Sequence, residues 1–234
     1  MTLAEALAIF GLEPIFRRPA RIAIVDSGVY AGHPHVQGVA GGISFVGNSG
    51  PADYIDRNGH GTAIAGAIRE KVPGAELIAV KVFDRALTTT AEDLSRAIEW
   101  AGAQQVDLIN LSLGTTNPAH AERLQAAVLS ARGAGAAVVA AAEQGGLPSL
   151  PGSLRGVIAV RVGWACERDA VIVEAASSDA IHLRASGYPR PIPGVPPERN
   201  LKGVSFAVAN ATGLIARALT EIPRDNPQVP KPLS

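Results

Sequence analysis

Three polar residues occupy positions from which side chains could do chemistry. Asp26 closes an apolar run in IVDSGV, His60 stands between glycines in DRNGHGT, and Ser205 opens GVSFAVANATG. A serine hydroxyl is a weak nucleophile at neutral pH, so attack on a carbonyl needs an imidazole within hydrogen-bond reach to take its proton. A carboxylate then fixes the imidazole tautomer and stabilises its charged form. Each residue alone also has a plainer reading. Asp and Gly favour turns, a histidine between glycines fits a helix start or a solvated loop, and serine is a common N-cap.

The elements that must position these residues alternate along the chain. RIAIVDSG, AELIAVKVF (75–83), VDLINLSLG (106–114), AAVVAAA (136–142) and GVIAVRVG (156–163) read as apolar strands. Between them GTAIAGAIRE (61–70), AEDLSRAIEWAGAQQ (91–105) and AHAERLQAAVLSARGAG (119–135) carry helical spacing. Near-continuous apolar strands separated by helices predict a doubly wound, mainly parallel α/β sheet with helices on both faces. Sites in such sheets gather outside the carboxyl ends of the strands. The Pro-rich stretch 188–200 is expected to be an irregular loop, and 223–234 an extended or frayed tail.

Composition excludes several classes. The 234 residues are 47% apolar, enough for a substantial core, and 21 basic side chains balance 21 acidic ones. No basic field draws the chain to nucleic acid or an anionic membrane. No apolar run reaches the ~18 residues that span a bilayer. Cys166 is the single cysteine, which excludes an internal disulfide framework and a cysteine zinc site and fits a reducing compartment; it reads as a small buried residue. His33, His35, His120 and His182 form no convincing metal cluster, and no cofactor is implied. The turn DSGVYAG lacks the glycine pattern that cradles a dinucleotide.

Aspartate, histidine and serine in this order resemble the subtilisin-like serine proteases, over about Arg21 to Ala218. IVDSGVYAGHPHV matches that family's aspartate block, GHGTAIAGAI its histidine block and GVSFA its serine block, usually Gly-Thr-Ser-Met-Ala. The resemblance implies a serine endopeptidase with Asp26, His60 and Ser205 as catalytic residues, acting on a peptide or protein substrate. It implies further that the peptide lies extended along Ser112, Leu113 and Gly114, that Ala140, Ala141 and Ala142 help line the specificity pocket, and that the Ser205 amide faces the oxyanion.

Departures from the family pattern are informative. Glu143-Gln144 stands where the family usually has Gly-Asn, the asparagine being an oxyanion donor. Gln144 keeps the carboxamide but adds a methylene. Losing one such donor costs about 2.7–4 kcal/mol, a magnitude for which a subtilisin is itself the reference case. Glu143 is expected either beside the pocket, favouring a basic substrate residue or narrowing the space, or in solvent. Val204, Ala209 and Ala63 replace the usual threonine, proline and second histidine. A weakened or inactive peptide-binding relative is the alternative reading.

The passage from the histidine helix to the next strand is too short for the calcium loop of secreted relatives, and the amino terminus does not read as a signal peptide. About 20 residues precede the first strand, too few for the inhibitory prodomain of secreted relatives, so the expectation is either folding without an intramolecular chaperone or a sequence that is a piece of a longer precursor. The expected organisation is an N-terminal segment (1–20), a peptidase domain (21–222) and a tail (223–234). The expected setting is cytoplasmic, with restricted substrates such as a leader peptide.

Overall fold

The computed structural model describes residues 1–15, 18–47 and 50–221, so the expected tail lies outside the described residues. An eight-stranded sheet carries the molecule. Its strands are β1 (Arg21–Asp26), β2 (Gly41–Ser44), β3 (Glu76–Lys81), β4 (Leu108–Leu111), β5 (Ala137–Ala141), β8 (Val157–Val162), β9 (Val171–Ala176) and β10 (Ala180–Ala185). They run in the order β2-β3-β1-β4-β5-β8-β10-β9, and β9 alone is antiparallel to its neighbour. Two short strands, β6 (Glu143–Gln144) and β7 (Leu147–Pro148), form a separate hairpin.

Among the described residues five α-helices cover the sheet: α1 (Leu3–Phe10), α2 (His60–Lys71), α3 (Ala91–Ala103), α4 (Ala121–Gly133) and α5 (Val204–Thr220). Alternation within the strands divides the core between two faces. Ile22 and Ile24 of β1 join a cluster with α1, α2 and α5, whereas Ala23 and Val25 join one with α3 and α4. A strand buried on both faces needs an unbroken apolar run, and β1 supplies it up to Asp26. The doubly wound fold is therefore the expected one.

The elements differ from expectation in detail. The strand expected over 106–114 ends at Leu111, which frees residues 112–114 from the sheet. The first residues form α1, whose Thr2 and Glu5 exchange capping-box hydrogen bonds. Its Ala6, Leu7 and Phe10 are buried in the α2/α5 core, and the Arg132 guanidinium lies 4.1 Å from the centre of the Phe10 ring. Cys166 is partly exposed rather than buried, because it sits in the turn after β8 with its N–H on the Gly163 carbonyl. Among the described residues no helix is long and apolar enough to cross a membrane.

Candidate active site

Asp26, His60 and Ser205 are brought together at the carboxyl edge of the sheet. Asp26 ends β1 and is fully buried, with its Oδ1 accepting from the Ser27 N–H at 2.7 Å. His60 opens α2, and its Nδ1 lies 2.8 Å from Asp26 Oδ1 and 3.0 Å from Oδ2. In register beside Asp26 stands Lys81 of β3, whose buried ammonium donates to the Ile55 carbonyl and pairs with Asp84. Among the described residues that leaves the imidazole as the side-chain partner of Asp26.

Close approach depends on glycine. The N-cap of α2 is Gly59 at φ +96°, a conformation that side chains rarely adopt. A Cβ on Gly61 would lie 2.1 Å from the Gly28 carbonyl oxygen and 3.2 Å from the Asp26 Cβ, so only glycine lets the helix start press against the turn after β1. Neither His60 nor Ser205 is a cap. The N-cap of α5 is Gly203, Ser205 is the second helical residue, and its Oγ donates to the Ser112 carbonyl at 3.1 Å.

Burial disfavours a charged His60, but the hydrogen bond its ring donates to Asp26 and the charges of Asp26 and Asp56 outweigh it and raise the imidazole pKa above its ordinary value. The raised value suits a group that must accept and return a proton near neutral pH.

A cavity of about 220 Å³ is lined by His60, Ser205, Ser112, Leu113, Gly114, Ala141 and Gln144, with Phe83 and Leu87 as an apolar wall. The Phe206 ring, next to Ser205, lies 5.9 Å from the imidazole ring centre. Among the described residues neither backbone polar group of Leu113 or Gly114 has a hydrogen-bond partner, so this edge is open to an added strand. The Ser205 N–H is likewise unpaired, as first-turn amides are.

Other expected residues lie elsewhere. Ala140 is fully buried in the α3/α4 core, and Ala142 is held between β8 and the segment after β7 by bonds to Val160 and Ser149. Glu143 does not line the cavity. Its carboxylate accepts from Arg161 Nε at 3.2 Å, and its backbone belongs to the β6–β7 hairpin. Among the described residues no group of three or more His, Cys, Asp or Glu side chains is placed to hold a metal ion. His33 and His35 meet edge to face, with ring centres 5.0 Å apart, and His120 bonds Asn117.

Two groups were not singled out by sequence. Asn110, buried in β4, donates to Ser112 Oγ at 2.9 Å and accepts from Thr212 Oγ1 at 3.0 Å. Ser205 and Thr212 therefore tie α5 to the end of β4 at two points on one helix face. Asp56, in the turn before α2, accepts from Ser27 and from the first turn of the helix. An aspartate shortly before a glycine and a helical run is a signal for helix initiation, but its bond to Ser27 is non-local.

Fold and site together define a doubly wound α/β protein with aspartate, histidine and serine converging at the carboxyl edge of its sheet. The chain belongs to the subtilase family, whose model matches residues 18–232. It is 38% identical over 157 residues to the thermostable alkaline protease of Halalkalibacterium halodurans, covering 62% of this chain and 42% of that protein. It is 31% identical over 226 residues to subtilisin Savinase of Lederbergia lenta, covering 88% and 77%. The chain thus spans less than half the length of the first of these relatives. A cold-adapted subtilisin-like serine proteinase shares the fold at a TM-score of 0.63 and 21% identity, over 89% of this chain and 83% of that one. Sphericase does so at 0.63 and 22%, over 91% and 82%.

Proposed function

We propose that the protein is a serine endopeptidase in which Ser205 attacks the scissile carbonyl, His60 moves the proton and Asp26 orients and charges the imidazole. The observation that carries this reading is the Asp26–His60 pair, 2.8 Å apart, beside a cavity that Ser205 also lines. His60 takes the Ser205 proton as the Oγ–carbon bond forms and returns it to the leaving amine; water then releases the acyl group by the reverse use of the same base. The Ser205 N–H and the Gln144 carboxamide are the donors for the oxyanion. Leu113 and Gly114 pair with the extended substrate, and Ala141 lines the space beside it.

A fluorophosphonate probe tests the reading. Labelling at Ser205 that is lost in Ser205→Ala and His60→Ala supports it. No labelling of the native protein across a range of pH overturns it in favour of a peptide-binding relative.

We extend the proposal to a cytoplasmic enzyme of restricted substrates, such as one that removes a leader peptide. A single cysteine and the short passage from α2 to β3, residues 72–75, support this extension. Broad digestion of unrelated unfolded proteins by the pure protein would overturn it.

A further inference from the structure

Asp56 is one of the most heavily hydrogen-bonded carboxylates in the described structure, and the three proposed catalytic residues do not include it. Its Oδ1 accepts from Ser27 Oγ at 2.9 Å, Asn58 N–H at 2.8 Å and Gly59 N–H at 2.8 Å. Its Oδ2 accepts from Thr62 N–H at 2.9 Å and Thr62 Oγ1 at 2.6 Å. Five donors fill the roughly four lone-pair positions of an ionised carboxylate and leave none for solvent. Burial opposes the charge, but these bonds hold the Asp56 carboxyl below its usual range.

The donors belong to two different parts of the chain. Ser27 follows Asp26 directly, and its Oγ also accepts from the Gly61 N–H at 3.0 Å. Thr62 Oγ1 in turn accepts from the N–H of Tyr30, four residues beyond Asp26, at 3.0 Å. Asn58, Gly59 and Thr62 flank His60. One carboxylate therefore fastens the turn after Asp26 to the first turn of α2.

Resting on the endopeptidase reading, we propose that Asp56 is a positioning residue for the Asp26–His60 pair, setting the place of the imidazole through Ser27 and the first turn of α2. Orientation is where such a residue acts: a misplacement of about 1 Å costs about 10²-fold in rate. Its charge acts as well. Among the described residues the charged groups facing His60 are Asp26 from β1 and Asp56 from the preceding turn. From α5 the imidazole meets Phe206 and Ser205, and Ser112, Phe83 and Leu87 share its cavity; none of these is charged. Neutralising Asp56 removes one of two carboxylates that favour the imidazolium, so the imidazole titrates at lower pH.

The test uses the whole chain and two readouts: fluorophosphonate labelling rate against pH, and the His60 ring titration by NMR. Asp56→Asn is expected to slow labelling between about 10- and 100-fold while moving the His60 titration and the acid limb of the labelling profile to lower pH. A merely structural residue would lower the melting temperature without moving either. If the native protein is labelled and Asp56→Asn keeps both its rate and the His60 titration, the positioning role is overturned. If the native protein is not labelled, the endopeptidase reading falls, and the titration still decides whether Asp56 charges the imidazole. Should Asp56→Asn not fold, Ser27→Ala cuts the strut from Asp56 to Gly61 and keeps the charge. It is expected to slow labelling with the His60 titration in place, and labelling at the native rate overturns the proposal.

Discussion

The Ser205 hydroxyl donates to the carbonyl oxygen of Ser112 at 3.1 Å, and among the described residues no hydrogen bond joins it to the His60 ring. Rotation about the Cα–Cβ bond is what must bring the proton to the imidazole, and catalytic hydrogen bonds in unliganded sites commonly close only when substrate binds. Ser112 is a firm anchor for the resting hydroxyl because Asn110 and Thr212 hold it from behind. Thr212→Val keeps the shape and removes the donor to Asn110, whose carboxamide is fully buried. The expected cost is about 1–3 kcal/mol of stability, read from the midpoint of urea unfolding with an unchanged slope.

His60 titrates above its ordinary value of about 6.5, and two consequences have definite signs. Hydrolysis requires the neutral imidazole, so kcat/KM rises with pH through an acid limb that lies above this ordinary value. Stability runs the other way. A raised pKa in the folded state contributes stability that is fully present below the unfolded value and is lost as pH rises through the folded one. The difference in unfolding free energy between the native protein and His60→Ala is therefore largest at acid pH and shrinks as pH rises, which denaturant titrations at several pH values measure. Asp26→Asn should lower kcat by about 10⁴, the loss known from reference triads rather than a value obtained from this structure.

The sequence legibly carries the parts of this site that are local. An apolar run ending in Asp26, a glycine-flanked His60 at a helix start and Ser205 before a small-residue helix are each recognisable within about ten residues, and strand–helix alternation places them on one sheet edge. Pairings between distant residues are not legible in this way. The bond that Ser27 donates to Asp56 and the pairing of Glu143 with Arg161 each depend on the folded chain bringing separate segments together. Strand β2 is four residues with two glycines, too weak a pattern to read alone. The helix α1 is a different case: Leu3, Ala6, Leu7 and Phe10 are at helical spacing behind Thr2 and Glu5, which form its capping box, so its signal is local and visible in the sequence.

That helix has a measurable role in the core. Leu7 is 2% exposed, and α1 packs against β9, β10 and α5. Leu7→Ala leaves a cavity under the helix and is expected to cost about 2–5 kcal/mol, measured by chemical unfolding. A cost below about 0.5 kcal/mol would mean that α1 peels away without disturbing the core.

Glu143 makes a negative prediction about specificity. Its carboxylate pairs with Arg161, which also reaches Glu174, and it is not among the residues that line the cavity. Glu143→Gln is expected to leave the preference for the residue before the scissile bond unchanged within about twofold, since a partly exposed ion pair contributes at most about 1 kcal/mol. Parallel hydrolysis of peptides with Lys, Leu or Glu at that position measures it, and a selective fall for the Lys peptide would put the Glu143 carboxylate in the pocket.

Gln144 is the neighbour that matters for rate. Its backbone pairs with Leu147 in the β6–β7 hairpin, and its exposed side chain lines the cavity with Ser205. The additional methylene, relative to asparagine, sets the carboxamide farther from its backbone, and the mobility of an exposed side chain must be overcome before it meets the oxyanion. The transition state, not the bound substrate, carries the charge that this donor serves, so its removal acts on turnover. Gln144→Ala is expected to lower kcat by about 10- to 1000-fold, up to the full worth of one such donor, with KM within about threefold. Gln144→Asn restores a donor on a shorter arm and should recover at least part of that loss. Steady-state kinetics on one peptide substrate measures both variants, and a Gln144→Ala enzyme turning over within twofold of native would leave the Ser205 amide and the α5 dipole to hold the oxyanion without this side chain.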